Sequence, residues 1–181
     1  NFKLSNKCDN LMDKINDELP SDIRILSCCE VDDRFHARLN AIGKVYYYKI
    51  DTGKKVNVFT RRTVNHFNFP LNIEEMKRAS KMLVGTYDFK SFCSNKRTKK
   101  STVRTIYSID ILQNGTEITF VYNGNGFLYN MVRILVGTLL SVNEGRIVGS
   151  ELDDLLASKN RVLAGITAQA HGLYLNRVFY E

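Results

Sequence analysis

Arg133 lies inside GNGFLYNMVRILVGTLL, residues 124–140, a run that is apolar almost all the way round a helix. A guanidinium keeps its charge at physiological pH. Left unpaired in a buried helix it is strongly destabilising, so a carboxylate or phosphate partner is expected. At about 3.6 residues per turn, Asn130, Arg133, Gly137 and Leu140/Ser141 share one face. Gly137 then leaves room beside the guanidinium, and Arg133 points into a cleft or a buried interface. The competing reading is a structural ion pair within the chain. Glu74, Glu75, Glu151, Asp153 and Asp154 sit at helix starts and turns, and none is an obvious partner. Asp88 in YDF is the main in-chain rival, although a structural role suits it better.

Tyr46, Tyr47 and Tyr48 follow one another directly. On a strand Tyr46 and Tyr48 share a face and Tyr47 takes the other. A tyrosine facing a cleft offers a flat surface for an unstacked base, and its hydroxyl can exchange protons. Ordinary aromatic packing on a sheet must account for one or two of the three.

The net charge is +7, and Lys and Arg are clustered. Lys96, Arg97, Lys99, Lys100 and Arg104 form the denser group; Lys54, Lys55, Arg61 and Arg62 form another. A polyanion is the expected partner, nucleic acid first. For the denser group, phosphate contact is preferred to a merely solvated loop, and it makes binding fall steeply with salt. For the other, the two readings are even. Lys44 and Arg38 near Tyr46 are further candidates for phosphate contact, with a structural pair equally open for Arg38. His36 flanks the same strand, and His66 and His171 read as structural histidines. Cys8, Cys28, Cys29 and Cys93 contain no CxxC pair, so buried free thiols are expected, with neither metal nor disulfide.

These side chains need elements to hold them. A helix over 5–19 with Leu11, Ile15 and Leu19 on one face is stopped by Pro20. Ile23–Val31 and Phe35–Ala41 alternate as strands, Gly43 marks a bulge or a bend, and Val45–Asp51 continues. Thr63–Phe69 is a short strand. Asn72 caps a helix, with Glu75 in capping-box position and Gly85 as its stop. Val103–Ile111 and Ile118–Tyr122 make a hairpin about Asn114–Gly115. A long helix over Phe127–Val142, a shorter one capped by Ser150 with Asp153, and a strand over Gly172–Tyr180 follow. Hairpins dominate over crossovers, which favours α+β with a largely antiparallel sheet. The chain has 181 residues, 44% hydrophobic and 25% charged, ordinary for a soluble globular protein. No apolar run reaches the ~18–20 residues of a membrane span. No leader pattern is visible, and a chain beginning at Asn1 without a Met reads as a piece of a longer protein. A boundary near Asp32–Asp33 divides it into 1–33, the remnant of an N-terminal lobe, and 34–181, a C-terminal lobe, catalytic if the resemblance given next holds.

Five segments carry a resemblance: FHARLNAIGKVYYYKI (35–50), LVGTYDFKSFCS (83–94), STVRTIYSIDI (101–111), NGNGFLYNMVRILVGTLL (123–140) and ITAQAHGLYL (166–175). In that order and spacing the chain resembles the TruA family of tRNA pseudouridine synthases over essentially its whole length. The resemblance implies an α+β pseudouridine synthase fold, with a mixed, mostly antiparallel sheet and helices packed on one face. It implies an isomerase that breaks the N-glycosidic bond of a tRNA uridine, rotates the uracil and rejoins it through carbon. The implied target is the anticodon stem-loop, positions 38 to 40. By the same resemblance Tyr46 stacks on the target base and takes part in proton removal. Arg133 pairs with the catalytic aspartate, and Leu173 lines the pocket. The family's aspartate lies in an Arg-Thr-Asp-x-Gly-Val-His-Ala motif, which this chain lacks. That position falls upstream of Asn1, so residues 1–181 alone are expected to be inactive. Gln169 stands where many members have Pro, which reads as loop variation. No cofactor or metal is required, and a cytoplasmic homodimer with tRNA spanning both subunits is implied. The alternative is a non-catalytic RNA-binding module; a basic protein-interaction domain ranks third.

Overall fold

Two long antiparallel strands, β1 (Ala41–Asp51) and β5 (Glu117–Gly124), run side by side with Tyr46 opposite Tyr122, Tyr48 opposite Phe120 and Ile50 opposite Ile118. Alternation places Tyr48, Ile50, Ile118, Phe120 and Tyr122 on one fully buried face. A computed structural model gives this structure and describes residues 10–95 and 100–181. The remaining strands are β2 (Asn65–His66), β3 (Gly85–Asp88), β4 (Val103–Asn114) and β6 (Leu173–Tyr180). The sheet order is β2-β1-β5-β4-β3, with β6 also paired to β1. The β1–β2 pair is parallel, whereas β1–β5, β3–β4 and β4–β5 are antiparallel. With its helices the protein is α+β with a mixed sheet.

Helices α2 (Ile73–Lys81), α3 (Met131–Asn143) and α4 (Leu152–Ser158) share one core with that sheet face. In α3 eleven of thirteen residues are buried, which matches its apolar circumference. Asn72 caps α2 as expected: its Oδ1 accepts from the Glu75 amide at 3.2 Å and its Nδ2 donates to Glu75 Oε2 at 3.2 Å. The β4–β5 turn carries Gly115 at φ 59°, the left-handed conformation that glycine adopts without a Cβ penalty.

Several expected elements differ. Helix α3 starts at Met131, because Asn130 at φ 61° cannot continue a helix. Gly43 lies within β1, and from Lys44 to Asp51 the strand pairs with β5 in continuous register. A Cβ at Gly43 would meet the Phe179 ring at 3.3 Å. The irregularity falls between Ile106 and Ser108 of β4. The Thr63–Phe69 strand shrinks to Asn65–His66, and β3 begins at Gly85, where a helix stop was expected. A 3-10 turn, Gly149–Glu151, precedes α4, whose start has no side-chain cap.

Contacts divide the chain into Asn1–Ala41 and Ile42–Glu181. In the first unit α1 (Leu11–Glu18) has no buried residue. Residues 23–31 do not form the expected strand. An alternating pattern makes a strand only when a second strand supplies its ladder. Here the Asn16 side chain brackets Ile25 instead, accepting from its amide at 2.7 Å and donating to its carbonyl at 3.0 Å. Cys28 and Cys29 are accordingly exposed, against expectation, whereas Cys93 is buried. Residues 37–39 form a turn where a strand was expected, with His36 Nδ1 accepting from the Arg38 and Leu39 amides at 3.2 and 3.3 Å. Cys8 and the first part of the expected 5–19 helix lie outside the described residues.

Candidate active site

Arg133 projects half-buried from the first turn of α3. Its Nη1 donates to Asn130 Oδ1 at 3.1 Å and its Nε to the Ala168 carbonyl at 2.7 Å. Asn130 stands just before the helix, where a shared helix face was expected, and its side chain still meets Arg133. Its side chain serves the guanidinium, and Ser94 Oγ through Nδ2 at 3.2 Å, so it makes no capping bond. Both acceptors of Arg133 are neutral oxygens. Among the described residues no carboxylate lies within ion-pair distance of it. Asp88 is engaged elsewhere: it pairs with Lys159 Nζ at 2.9 Å, accepts from the Lys90 amide at 3.2 Å and is bonded by the Thr102 hydroxyl. Burial works to raise the Asp88 carboxyl, but these donors outweigh it and hold it below its ordinary value.

The segment 164–172 crosses α3 and carries the next part of the site. The Ala168 amide donates back to the Arg133 carbonyl at 3.1 Å. The Gly165 amide donates to Thr138 Oγ1 at 3.0 Å. Arg161 Nη1 donates to the Gly165 carbonyl at 2.9 Å and Nη2 to Thr167 Oγ1 at 3.0 Å. Gly137 is the crossing point: a Cβ there would fall 1.8 Å from the Ile166 carbonyl oxygen. The room left by Gly137 is thus filled by this strap, where room for the guanidinium was expected.

One residue on, the Gln169 carbonyl accepts from the Tyr48 hydroxyl at 2.8 Å. Burial raises the Tyr48 hydroxyl above its ordinary value, and the positive charge of Arg133 works against that rise. Adjacent carbonyls of the strap therefore tie Arg133 on α3 to Tyr48 on β1. Gly172 then closes on the Tyr48 ring, where a Cβ would stand 2.9 Å from Cζ. Leu173 follows it, half-buried against the core at the start of β6. Tyr46, on the same face of β1 as Tyr48, is half-buried and meets Phe127 edge-on, 5.2 Å between centroids at 82°. Burial raises its hydroxyl too, so it is neutral at pH 7. No hydrogen bond joins Arg133 to Tyr46; Tyr48 and the strap stand as the linking elements.

Of the basic residues singled out, Arg104 is half-buried and turns back on its own loop, donating to the Ser101 and Val103 carbonyls at 2.9 and 2.6 Å. Lys44 is half-buried on β1, and Arg38 and Lys100 are exposed. Lys96, Arg97 and Lys99 lie outside the described residues. His66 Nδ1 stands 3.7 Å from Asp51 Oδ2, in keeping with a structural role, and His171 is exposed. A pocket lined by Tyr87, Asp88, Asp153, Leu156, Ala157 and Lys159 includes none of the site residues. No helix is long and apolar enough to cross a membrane among the described residues.

The sequence leaves open which of the three tyrosines merely packs, and it does not single out Arg161. The signal for Arg161 was its place four residues before Gly165, in a segment that must cross a glycine on α3.

Comparison with known proteins identifies relatives over most of the chain. A family model described as tRNA pseudouridine synthase matches residues 79–181. A protein named tRNA pseudouridine synthase A from Bacillus pumilus (strain SAFR-032) is 45% identical over 167 residues, 92% of this chain and 68% of the relative. Its namesake in Bacillus subtilis (strain 168) is 44% identical over the same shares. The one in Thermoanaerobacter sp. (strain X514) is 44% identical over 182 aligned positions, 99% of this chain and 75% of the relative. The chain belongs to the tRNA pseudouridine synthase family.

Proposed function

We propose that the protein isomerises uridine to pseudouridine in the anticodon stem-loop of tRNA, at positions 38 to 40. The observation that carries this reading is the state of Arg133: a half-buried guanidinium oriented by two neutral oxygens and tied through the Ala168–Gln169 carbonyls to a tyrosine-bearing strand. Such a group is pre-positioned for an anion. The anion is a carboxylate supplied from outside residues 1–181, so that residues 1–181 alone are inactive. Arg133 keeps that carboxylate ionised and aimed. From the ionised form, attack at C1′ of the ribose or at C6 of the ring begins the reaction. The N1–C1′ bond breaks, C5 bonds to C1′, the carboxylate is released from the carbon it attacked, the C5 hydrogen leaves as a proton, and N1 takes up a proton. Atoms balance as an isomerisation, with no redox step and no cofactor.

The target uridine must leave its stem to be reached, and Tyr46 and Leu173 wall the pocket that receives it. A neutral Tyr46 takes a proton only while passing its own on, so it acts as a relay. Tyr46→Phe keeps the ring and loses the hydroxyl. It is expected to lower kcat by about 10²- to 10⁴-fold with KM little changed. Release of tritium from 5-tritiated uridine in tRNA by the full-length protein measures both quantities. Wild-type protein that binds tRNA without releasing tritium would refute the enzymatic reading and favour a binding module. Arg38, Lys44, Lys100 and Arg104, with Lys96, Arg97 and Lys99, are proposed to contact tRNA phosphates. The working protein is a cytoplasmic homodimer, residues 1–33 the end of one lobe and 34–181 the catalytic lobe.

A further inference from the structure

The segment between β1 and β2 carries a surface that the reaction above does not use. Lys54, Lys55, Arg61 and Arg62 are all exposed there, and none forms an ion pair among the described residues. Between them Phe59 is 94% exposed, with Val56 and Val58 also exposed. The ring is held out by an ordered frame. Asn57 Oδ1 accepts from the Phe59 amide at 3.0 Å and the Asn57 carbonyl from the Thr60 amide at 3.2 Å. The Thr60 carbonyl accepts from the Thr63 and Val64 amides at 2.8 and 2.9 Å, and Arg61 bonds the Val58 carbonyl. The far end of the loop is fastened to the site: the Tyr174 hydroxyl donates to the Thr63 carbonyl, and Tyr174 directly follows Leu173.

We propose that residues 54–62 form a second tRNA contact, in which Phe59 stacks on an unpaired base and Lys54, Lys55, Arg61 and Arg62 neutralise the flanking phosphates. An exposed aromatic among uncompensated cations has the chemistry that single-stranded nucleic acid selects: a flat face for a base and positive charge for its backbone. Four like charges disfavour a second copy of the same loop as occupant. The tie through Tyr174 sets this contact beside the pocket wall, where nucleotides next to the target uridine must pass. The inference rests on the tRNA reading above.

The test uses the full-length protein and an unmodified tRNA transcript with uridines at 38 to 40, measuring Kd across a salt series and tritium release. Phe59→Ala is expected to weaken binding by about tenfold or more. The loss appears in KM, and Phe59→Trp restores it. Thermal melting of Phe59→Ala should match wild type, since the ring is in water. Joint replacement of Lys54, Lys55, Arg61 and Arg62 by Gln should flatten the slope of log Kd against log salt by roughly 3. Unchanged Kd and slope, with wild-type protein still forming pseudouridine, overturn the contact and leave the enzymatic reading intact. Unchanged tRNA affinity with an altered oligomeric state in Phe59→Ala assigns the loop to a protein partner and also overturns it. Wild-type protein that neither binds this tRNA nor releases tritium overturns both.

Discussion

Replacing Arg133 with alanine lowers tritium release from 5-tritiated uridine in tRNA by about 10³-fold or more, because the attacking carboxylate loses its ion-pair partner, an effect of ~4 kcal/mol. The fold survives the change. The backbone bond between the Ala168 amide and the residue-133 carbonyl remains, and so do the Gly165–Thr138 bond and the Arg161 clamp on the strap. What is lost from stability is the pair of side-chain bonds to Asn130 and Ala168, about 1–3 kcal/mol together. Arg133→Lys keeps the charge but cannot hold both oxygens and a carboxylate with one planar fork. It should recover only part of the rate. Steady-state kinetics with thermal melting of each variant separates the two effects.

Gly137→Ala is expected to destabilise the fold strongly. Helix propensity alone predicts the opposite sign, since Ala favours a helix interior over Gly by about 1 kcal/mol. Geometry decides the matter. The added Cβ would stand 1.8 Å from the Ile166 carbonyl oxygen and 2.8 Å from its carbon, which is backbone and not a movable side-chain tip. From the other side, a Cβ on Gly165 would meet the Gly137 carbonyl and Thr138 nitrogen at 2.4 Å. Strap and helix are in backbone contact, so one must move. Moving the strap breaks the Ala168–Arg133 and Gln169–Tyr48 bonds that align the site. A cost of ~4 kcal/mol is expected. That corresponds to a fall in Tm of roughly 10 °C for a chain of this size. Melting by circular dichroism reads it; an unchanged or raised Tm would show that the strap does not lie on α3 at Gly137.

Local signals were readable from sequence and long-range ones were not. The Asn72 cap, the Asn114–Gly115 turn and the apolar helix around Arg133 each depend on residues within a turn or two of one another. The strand expected over Ile23–Val31 failed because alternation says which side chains share a face but not whether a second strand is there to pair. Four residues, Gly85–Asp88, are too few to show a period at all. At the site, Arg133 and Tyr46 were visible because a charge in an apolar helix and a run of tyrosines need explaining. The Ala168 and Gln169 carbonyls were not, because any residue supplies a carbonyl. Gly137 was legible as missing volume, while the atom filling it, on Ile166, was not.

The central claim is that Arg133 holds an attacking carboxylate in its ionised form. The pH dependence of kcat/KM for tritium release, wild type against Arg133→Gln in the full-length protein, tests it most directly. An adjacent guanidinium lowers a carboxyl's pKa, and removing it raises that pKa. Only the ionised form attacks, so the acid limb of the profile reports its titration in the free enzyme. The account predicts that the acid limb of the residual Arg133→Gln activity lies about 1–3 pH units above that of wild type. An acid limb that stays in place, whatever the loss of rate, would contradict it.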